Sequence, residues 1–269
     1  MRRLSADSFR EMIFITAGKE MKRVKIKWWA VLFWLLVWQA AAMAIGQEIL
    51  LVSPIAVIRR LFVLAGESVF WQSVGFSLLR IIAGFFGALL CGTLFAGLSA
   101  RFLLVKQLLA PLMLTIKTIP VASFVILVLI WVSSKNLSVL ISFLMVLPII
   151  YTNVLDGIEA ADSQLLEMAS VFKVPAGRRI RYIYLSEVLP FFKTGALVAL
   201  GLCWKAGVAA EVIGIPKNSI GEHLYNAKVY LDTPDLFAWT LVIIIISLVF
   251  EKIFLALLNF VVKRLERMV

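Results

Sequence analysis

Three charged side chains lie within long apolar stretches, where a charge is costly and usually has a function. Lys205 follows Lys193 by twelve residues, about 18 Å along a helix, and so lies deep in its stretch. Such a cation needs an anion, either on another segment or on a bound solute. Glu211 lies about 240° further around the helix and is not expected to pair with Lys205. Lys117, just before Pro120, is a second such cation, or it extends to the nearer surface.

Residues suited to metal binding or nucleophilic chemistry are sparse. The chain has one histidine, His223, and two cysteines, Cys91 and Cys203, far apart in apolar segments. This spacing is typical neither of a metal site nor of a disulfide framework. We therefore expect no metal site and no catalytic residue, and we expect His223 to lie on the surface.

The composition places these residues in an integral membrane protein. Hydrophobic residues make up 62% of the chain, charged residues 16%, and the mean hydropathy is +0.99, whereas soluble domains have about 45–50% apolar and about 25% charged residues. The short connections leave room for one transmembrane domain, residues 28–269, after a basic segment 1–27. The net charge of +11 does not indicate nucleic acid, because the basic residues are not interleaved with stacking aromatics. The lipid bilayer is the partner that this composition predicts.

Six segments are long and apolar enough to cross a bilayer as helices, or nearly so. They are residues 28–46, 74–98, 107–131, 137–156, 189–211 and 236–260. Most of the 27 Lys and Arg residues then fall on one side, which predicts that both termini and the polar segment 157–188 are cytoplasmic. A cleaved signal peptide is the weaker interpretation of the first span, because its apolar run is long and lacks a convincing cleavage site.

Small residues recur every four positions in the second and fifth spans. The two stripes are Gly84, Ala88, Gly92 and Ala96, and Gly195, Ala199, Cys203 and Gly207. Such stripes let helices approach closely in lipid, either within one subunit or between two. On the outer side, Pro54 predicts the start of an interfacial helix.

The polar segment 157–188, here called the island, is predicted to contain an amphipathic helix. Asp162 or Ser163 is a suitable N-cap, and Pro175 with Gly177 is expected to end the helix. The apolar residues that share one helical face are Leu165, Met168, Ala169 and Phe172. A helix this short is marginal alone, so its apolar face needs a surface. That surface is either lipid headgroups, which the following arginines favour, or a partner protein.

Two short motifs in the island carry a family resemblance. Glu167–Ala169 (EMA) is followed, after three residues, by Lys173, and the segment closes on Ile183–Ser186 (IYLS). This pattern resembles the cytoplasmic signature of permease subunits of binding-protein-dependent ABC importers, with Lys173 at its Gly position and Ser186 at its Pro position. The turn is therefore expected at Pro175 and Gly177, and Ser186 is expected to cap the next helix.

Further motifs resemble the nitrate, sulfonate and taurine branch of these permeases. They are SLLR at 77–80, Gly84-Phe85, Pro111, Ile119-Pro120 and WKAGVAAE at 204–211. With the island, the resemblance covers about residues 47–262. It implies an all-α fold of about six transmembrane helices, with a short cytoplasmic coupling helix between spans four and five, as in type I importer permeases. It also implies the bacterial inner membrane as location.

The resemblance implies partners and roles as well. Two permease subunits would form the pathway, cytoplasmic ATPases holding ATP and Mg would receive the island, and an extracytoplasmic binding protein would deliver a small anion such as a sulfonate or nitrate. The residues implied in ATPase coupling are Glu167, Met168, Ala169, Phe172, Lys173 and Val174. The candidates for the translocation pathway are Lys205, Trp204, Glu211 and Lys117. This chain has no phosphate-binding loop of its own and binds no cofactor by this interpretation.

Two alternatives belong to other classes of protein. A self-contained secondary transporter or channel would show buried charge relays or inverted repeats, and no convincing internal repeat is present. A membrane-embedded enzyme would show clusters of His, Asp or Glu at the membrane face. Neither alternative accounts for the island.

Overall fold

The computed structural model describes residues 27–266, which form helices without strands. The predicted cytoplasmic segment 1–27 therefore lies outside the described residues except for Lys27. The helices are α1 Trp28–Ile45, α2 Pro54–Ala65, α3 Ser68–Arg101, α4 Leu103–Thr118, α5 Val121–Val128, α6 Ser134–Glu159, α7 Ser163–Val171, α8 Ala176–Arg179, α9 Leu185–Gly214, α10 Ile220–Val229 and α11 Thr233–Glu266. A π-helical turn, Ile180–Tyr184, joins α8 to α9. The predicted all-α membrane fold is confirmed.

Five continuous helical segments of the described chain are long and apolar enough to cross a bilayer, and α4 with α5 forms a sixth span if the pair is counted together. The prediction of one helix over 107–131 is wrong, because α4 and α5 meet at a bend of 107°. Ile119 precedes Pro120, and a residue before proline avoids the helical conformation. Its extended backbone, with φ −70° and ψ 129°, ends α4 there.

Helix α6 lies at the centre of the bundle, packed between α3 and α9. Both stripes of small residues are buried. A Cβ added at Gly84 would clash with the backbone of Val139, and one at Gly207 would lie 2.6 Å from Ser142 Oγ. The stripes therefore pack on α6 within the same chain, which decides between the two predicted roles.

The helix predicted from Pro54 is present as α2. Ser53 caps it, since its hydroxyl accepts a hydrogen bond from the Ala56 N–H at 3.3 Å. Arg60 then pairs with Asp235 at the start of α11, with Nη2 donating to Oδ2 at 3.0 Å. The pair fixes α2 against the first turn of α11.

Helix α1 packs little on the rest of the described chain, with 6% of its apolar window buried. Its main anchor is Trp38, whose ring lies 5.7 Å from that of Phe237. Most of α1 is thus left to contact lipid or another chain.

Candidate coupling and translocation sites

Helix α7 in the island begins at a local cap. The Asp162 carboxylate accepts a hydrogen bond from the Gln164 N–H at 2.8 Å, which satisfies one of the free N–H groups of the first turn. This decides between the two predicted caps in favour of Asp162. The helix then runs over Ser163–Val171.

Helix α7 ends at Val171, and the chain turns at Lys173, two residues before Pro175. Lys173 has φ +48°, in the left-handed region, and its N–H donates to Ser170 O at 3.1 Å. The Val174 N–H donates to Ala169 O at 2.9 Å, which completes a Schellman motif. The expectation that Pro175 and Gly177 supply the turn is therefore wrong: Lys173 adopts the conformation that a Gly at its position would favour.

Arg179 clamps this turn from the following helix. Its Nε donates to Val174 O at 2.8 Å, and its Nη2 donates to Ala169 O at 3.1 Å. The Ala169 carbonyl thus accepts a second hydrogen bond beside the one from the Val174 N–H, and the Val174 carbonyl gains a partner. The positive charge also opposes the negative end of the helix dipole.

The chain continues from α8 into the fifth span without a break. Residues Ala176–Gly214 form one helical run of 39 residues that includes the π-helical turn. The prediction that Ser186 caps a new helix is wrong, because Ser186 lies inside this run and its hydroxyl donates to Ile183 O at 2.9 Å. Pro190 also lies inside α9. Helices α8 and α9 are thus parts of one continuous helical run.

The predicted coupling residues, in α7 and the turn after it, differ in how far they are exposed. Ala169 is buried, at 3% exposure, whereas Met168 is 52% and Phe172 74% exposed. Glu167 and Lys173 are also exposed, and Val174 is half-buried. The island therefore presents an apolar surface with a flanking carboxylate and ammonium group to whatever docks there.

Helix α8 and the π-helical turn together form the segment 176–184, here called the elbow. A cavity of about 740 Å³ lies beside it. Gly97 and Arg101 of α3 line one wall, and Arg179, Ile180 and Val188 line the opposite one. The cavity separates the elbow from α3.

The predicted pathway residues are not gathered into one cluster. Lys205 is exposed on α9, with neither a hydrogen bond nor an ion pair to any part of the chain that the structure describes. Its neighbour Trp204 is 3% exposed and packs on Phe250 at 6.1 Å between ring centroids. Lys117 is exposed at the end of α4, where Nζ donates to Thr152 Oγ1 at 3.4 Å.

Glu211 lies in a buried polar cluster away from open space. Its Oε2 accepts hydrogen bonds from Ser77 Oγ at 2.6 Å and from the Gly221 N–H at 3.3 Å. Ser77 Oγ in turn accepts from the Ile220 N–H at 3.0 Å. Glu211 therefore contacts α3 and the first turn of α10. The partners Ser77 and Gly221 were missed, because no local pattern connects positions so far apart in the sequence.

His223 is half-buried in α10, so the prediction that it lies on the surface is wrong. Its ring stacks on Trp239 of α11 at 4.5 Å with an interplanar angle of 7°, and Nε2 lies 2.9 Å from Ser73 Oγ. Burial lowers the pKa of His223, and the nearby carboxylates of Glu222 and Asp235 oppose that effect. Over residues 27–266, no group of three or more His, Cys, Asp or Glu side chains is placed to hold a metal ion.

Several apolar spans, a lysine within one of them and a capped amphipathic helix between two of them are typical of a membrane-spanning transport subunit. Residues 88–267 match the family described as binding-protein-dependent transport system inner membrane component, and the chain belongs to that family. It is therefore a multi-pass permease subunit of a binding-protein-dependent ABC importer. The predicted resemblance is confirmed.

Similar proteins include permeases with named solutes. The chain is 26% identical to the taurine transport system permease protein TauC of Escherichia coli (strain K12) over 80% of each chain. It is 26% identical to the putative aliphatic sulfonates transport permease protein SsuC of Bacillus subtilis (strain 168), over 78% of this chain and 77% of that one. It is also 26% identical to the nitrate import permease protein NrtB of Leptolyngbya laminosa, over 55% and 53%.

Proposed function

We propose that this chain forms the translocation pathway of an ATP-driven importer for a small anion. A separate cytoplasmic ATPase binds and hydrolyses ATP, and a second permease subunit completes the pathway. The names of the relatives support the class of solute, because taurine, aliphatic sulfonates and nitrate all carry an anionic group. An exposed cation within a span, Lys205, agrees with an anionic cargo.

The island supports the coupling role. Helix α7 is capped at both ends, exposes Met168 and Phe172, and is joined through Arg179 to a helical run that continues to Gly214. This continuity is the observation that carries the proposal. When ATP closes the ATPase dimer, α7 moves with the ATPase and α9 follows, which opens the pathway to the outer side. Hydrolysis returns the assembly to its first state, and the solute enters by alternating access.

The charge reversal Glu167→Lys tests this role. Glu167 is exposed on α7 beside the apolar surface, so the new lysine places the wrong charge in the docking surface without disturbing a buried contact. We expect solute uptake to fall at least tenfold, with loss of the co-purified ATPase or with ATP hydrolysis uncoupled from uptake. Uptake of radiolabelled taurine, sulfonate or nitrate into proteoliposomes and co-purification measure the two effects.

Asp156→Lys is the matched control, since it reverses an exposed charge at the end of α6 and outside α7. This variant should retain both association and uptake. Normal association and normal uptake in Glu167→Lys would contradict the docking role of α7.

A further inference from the structure

The buried cluster around Glu211 joins three helices at the end of the molecule opposite the island. Glu211 belongs to α9, Ser77 to α3, and the N–H groups of Ile220 and Gly221 to the first turn of α10. Glu211 and Ser77 are both fully buried, at 0% exposure. Buried hydrogen bonds to a carboxyl group are among the stronger ones in proteins, because water does not compete for them.

The backbones of α9 and α10 also touch at this point. A Cβ added at Gly221 would lie 2.6 Å from the Val212 nitrogen and would clash with the backbone of Glu211. A residue other than glycine would therefore push α10 away. Close backbone contact and buried hydrogen bonds together leave α10 little freedom to move apart from α9.

Helix α9 connects this cluster to the coupling helix. The run Ala176–Gly214 starts at the elbow that Arg179 clamps to α7, and Glu211 lies in its last turn. At 1.5 Å per residue, the 30 residues of α9 alone cover about 45 Å. One continuous helical run thus connects the coupling helix at one end with α10 at the other.

We propose that Glu211 is a positioning residue that locks α10 to α9, so that α10 and the coupling helix respond to each other across the membrane. Binding of the solute-binding protein on the α10 side then displaces α9, and nucleotide binding on the ATPase side displaces α10. This inference rests on the proposed function, because it needs both partners.

The first test compares Glu211→Ala with Glu211→Gln in proteoliposomes that hold the permease, its ATPase and its binding protein saturated with taurine, sulfonate, nitrate or bicarbonate. We expect Glu211→Ala to lower the ratio of the stimulated rate of ATP hydrolysis to the basal rate without binding protein about tenfold. Glu211→Gln should restore most of the stimulation, because its amide oxygen still accepts from Ser77 and Gly221. Its amide N–H groups can donate to the Ser138 hydroxyl, which is buried beside Glu211.

Two serine variants separate positioning from general packing. Ser77→Ala removes the bridge between α3, Glu211 and α10, and should lower stimulation without adding to the effect of Glu211→Ala in the double variant. Ser99→Ala is the matched control on the same helix, since Ser99 is also buried and accepts from the Tyr151 hydroxyl at 3.1 Å. It should leave stimulation unchanged.

A second measurement needs no solute. Amide hydrogen exchange on α10 should change when a non-hydrolysable ATP analogue binds the wild-type complex, and this response should be lost in Glu211→Ala and kept in Glu211→Gln. An equal response in all three complexes overturns the inference, as does a fall of basal and stimulated hydrolysis by the same factor. Failure of every binding-protein complex to stimulate the wild type, with the exchange response intact, counts against the proposed import function alone.

Discussion

Lys173 holds the left-handed turn at the end of the coupling helix, and this single backbone conformation sets where the helix stops. Its φ of +48° costs a residue with a side chain about 1–2 kcal/mol. The Schellman hydrogen bonds and the Arg179 clamp offset that cost. Lysine does not favour the left-handed conformation, so the surrounding hydrogen bonds, and not the residue type, hold the backbone in this turn.

Lys173→Gly should stabilise this turn. Glycine adopts the left-handed conformation without the Cβ penalty, although it also gains freedom in the open state, so the expected net gain is about 1 kcal/mol. Hydrogen exchange of the Val174 N–H, which closes the Schellman motif, should slow about fivefold. Lys173→Val should instead speed exchange, because β-branched residues tolerate positive φ poorly. Equal exchange in the three proteins would contradict the strain assigned to Lys173.

At the scale of elements, α2 and α10 form a layer at the end of the molecule opposite the island. This layer depends on contacts between helices that are distant in sequence. Helix α10 is held by Ser77 and Glu211 on one side and by the stack of His223 on Trp239 on the other. Helix α2 is fixed by the pair of Arg60 with Asp235. Each of these contacts uses a polar or aromatic group whose partner is set only when the helices assemble.

The His223 stack makes the stability of this layer depend on pH. Burial lowers the pKa of His223 in the folded protein below the usual value of about 6.5. The unfolded chain therefore takes up its proton first as the pH falls, and stability declines from about pH 6.5 downwards. We expect the melting temperature of the purified permease to fall between pH 7.5 and 5.5.

His223→Phe provides the comparison, since it keeps an aromatic ring on Trp239 and removes the titrating group. The carboxylates Glu67, Glu222 and Asp235 near His223 remain in both proteins, so the difference between the two melting curves isolates the histidine. The decline over this pH range should be smaller in His223→Phe. An identical decline in both proteins would contradict a buried, neutral His223.

At the scale of the whole molecule, the described chain leaves much apolar surface and the intramembrane cation Lys205 without partners of its own. Helix α1 is largely exposed, and Lys205 has an exposed side chain on α9 next to Gly201, which also borders open space. We propose that a second permease subunit completes the pathway, and this face of α9 is then expected to border the space where solute passes. An ammonium group there attracts an anion more strongly than in water, because the surroundings are of low dielectric constant.

Lys205→Met should lower uptake at least tenfold, because it removes the ammonium group and keeps the length of the side chain. Co-purification of the ATPase should be unchanged, since Lys205 is remote from the island. Lys193→Met is the matched control, as it removes a cation nearer the inner end of the same helix. Radiolabelled solute uptake measures the effect, and unchanged uptake in Lys205→Met would contradict a role for this cation in translocation.

Features that depend on local chemistry were predicted from the sequence alone. The apolar runs predicted six spans, of which five are continuous helices. Capping chemistry offered Asp162 or Ser163, of which Asp162 caps the helix, and the short motifs predicted the family. Span length, capping and motif spacing are all encoded by residues close together in the chain. The bend between α4 and α5 was missed even though Ile119-Pro120 carries its signal. The long apolar run around this pair was interpreted as one helix.

Tertiary structure alone decided the remaining points. By sequence, the small-residue stripes fit packing within one subunit or between two. The close contacts of Gly84 and Gly207 with α6 show that the stripes pack within the chain. The carboxyl group of Glu211 meets Ser77 and Gly221 only because three helices converge, and His223 is buried only because Trp239 covers it. A sequence specifies which groups need partners, but the choice of partner depends on which helices pack together, and that is a property of the whole fold.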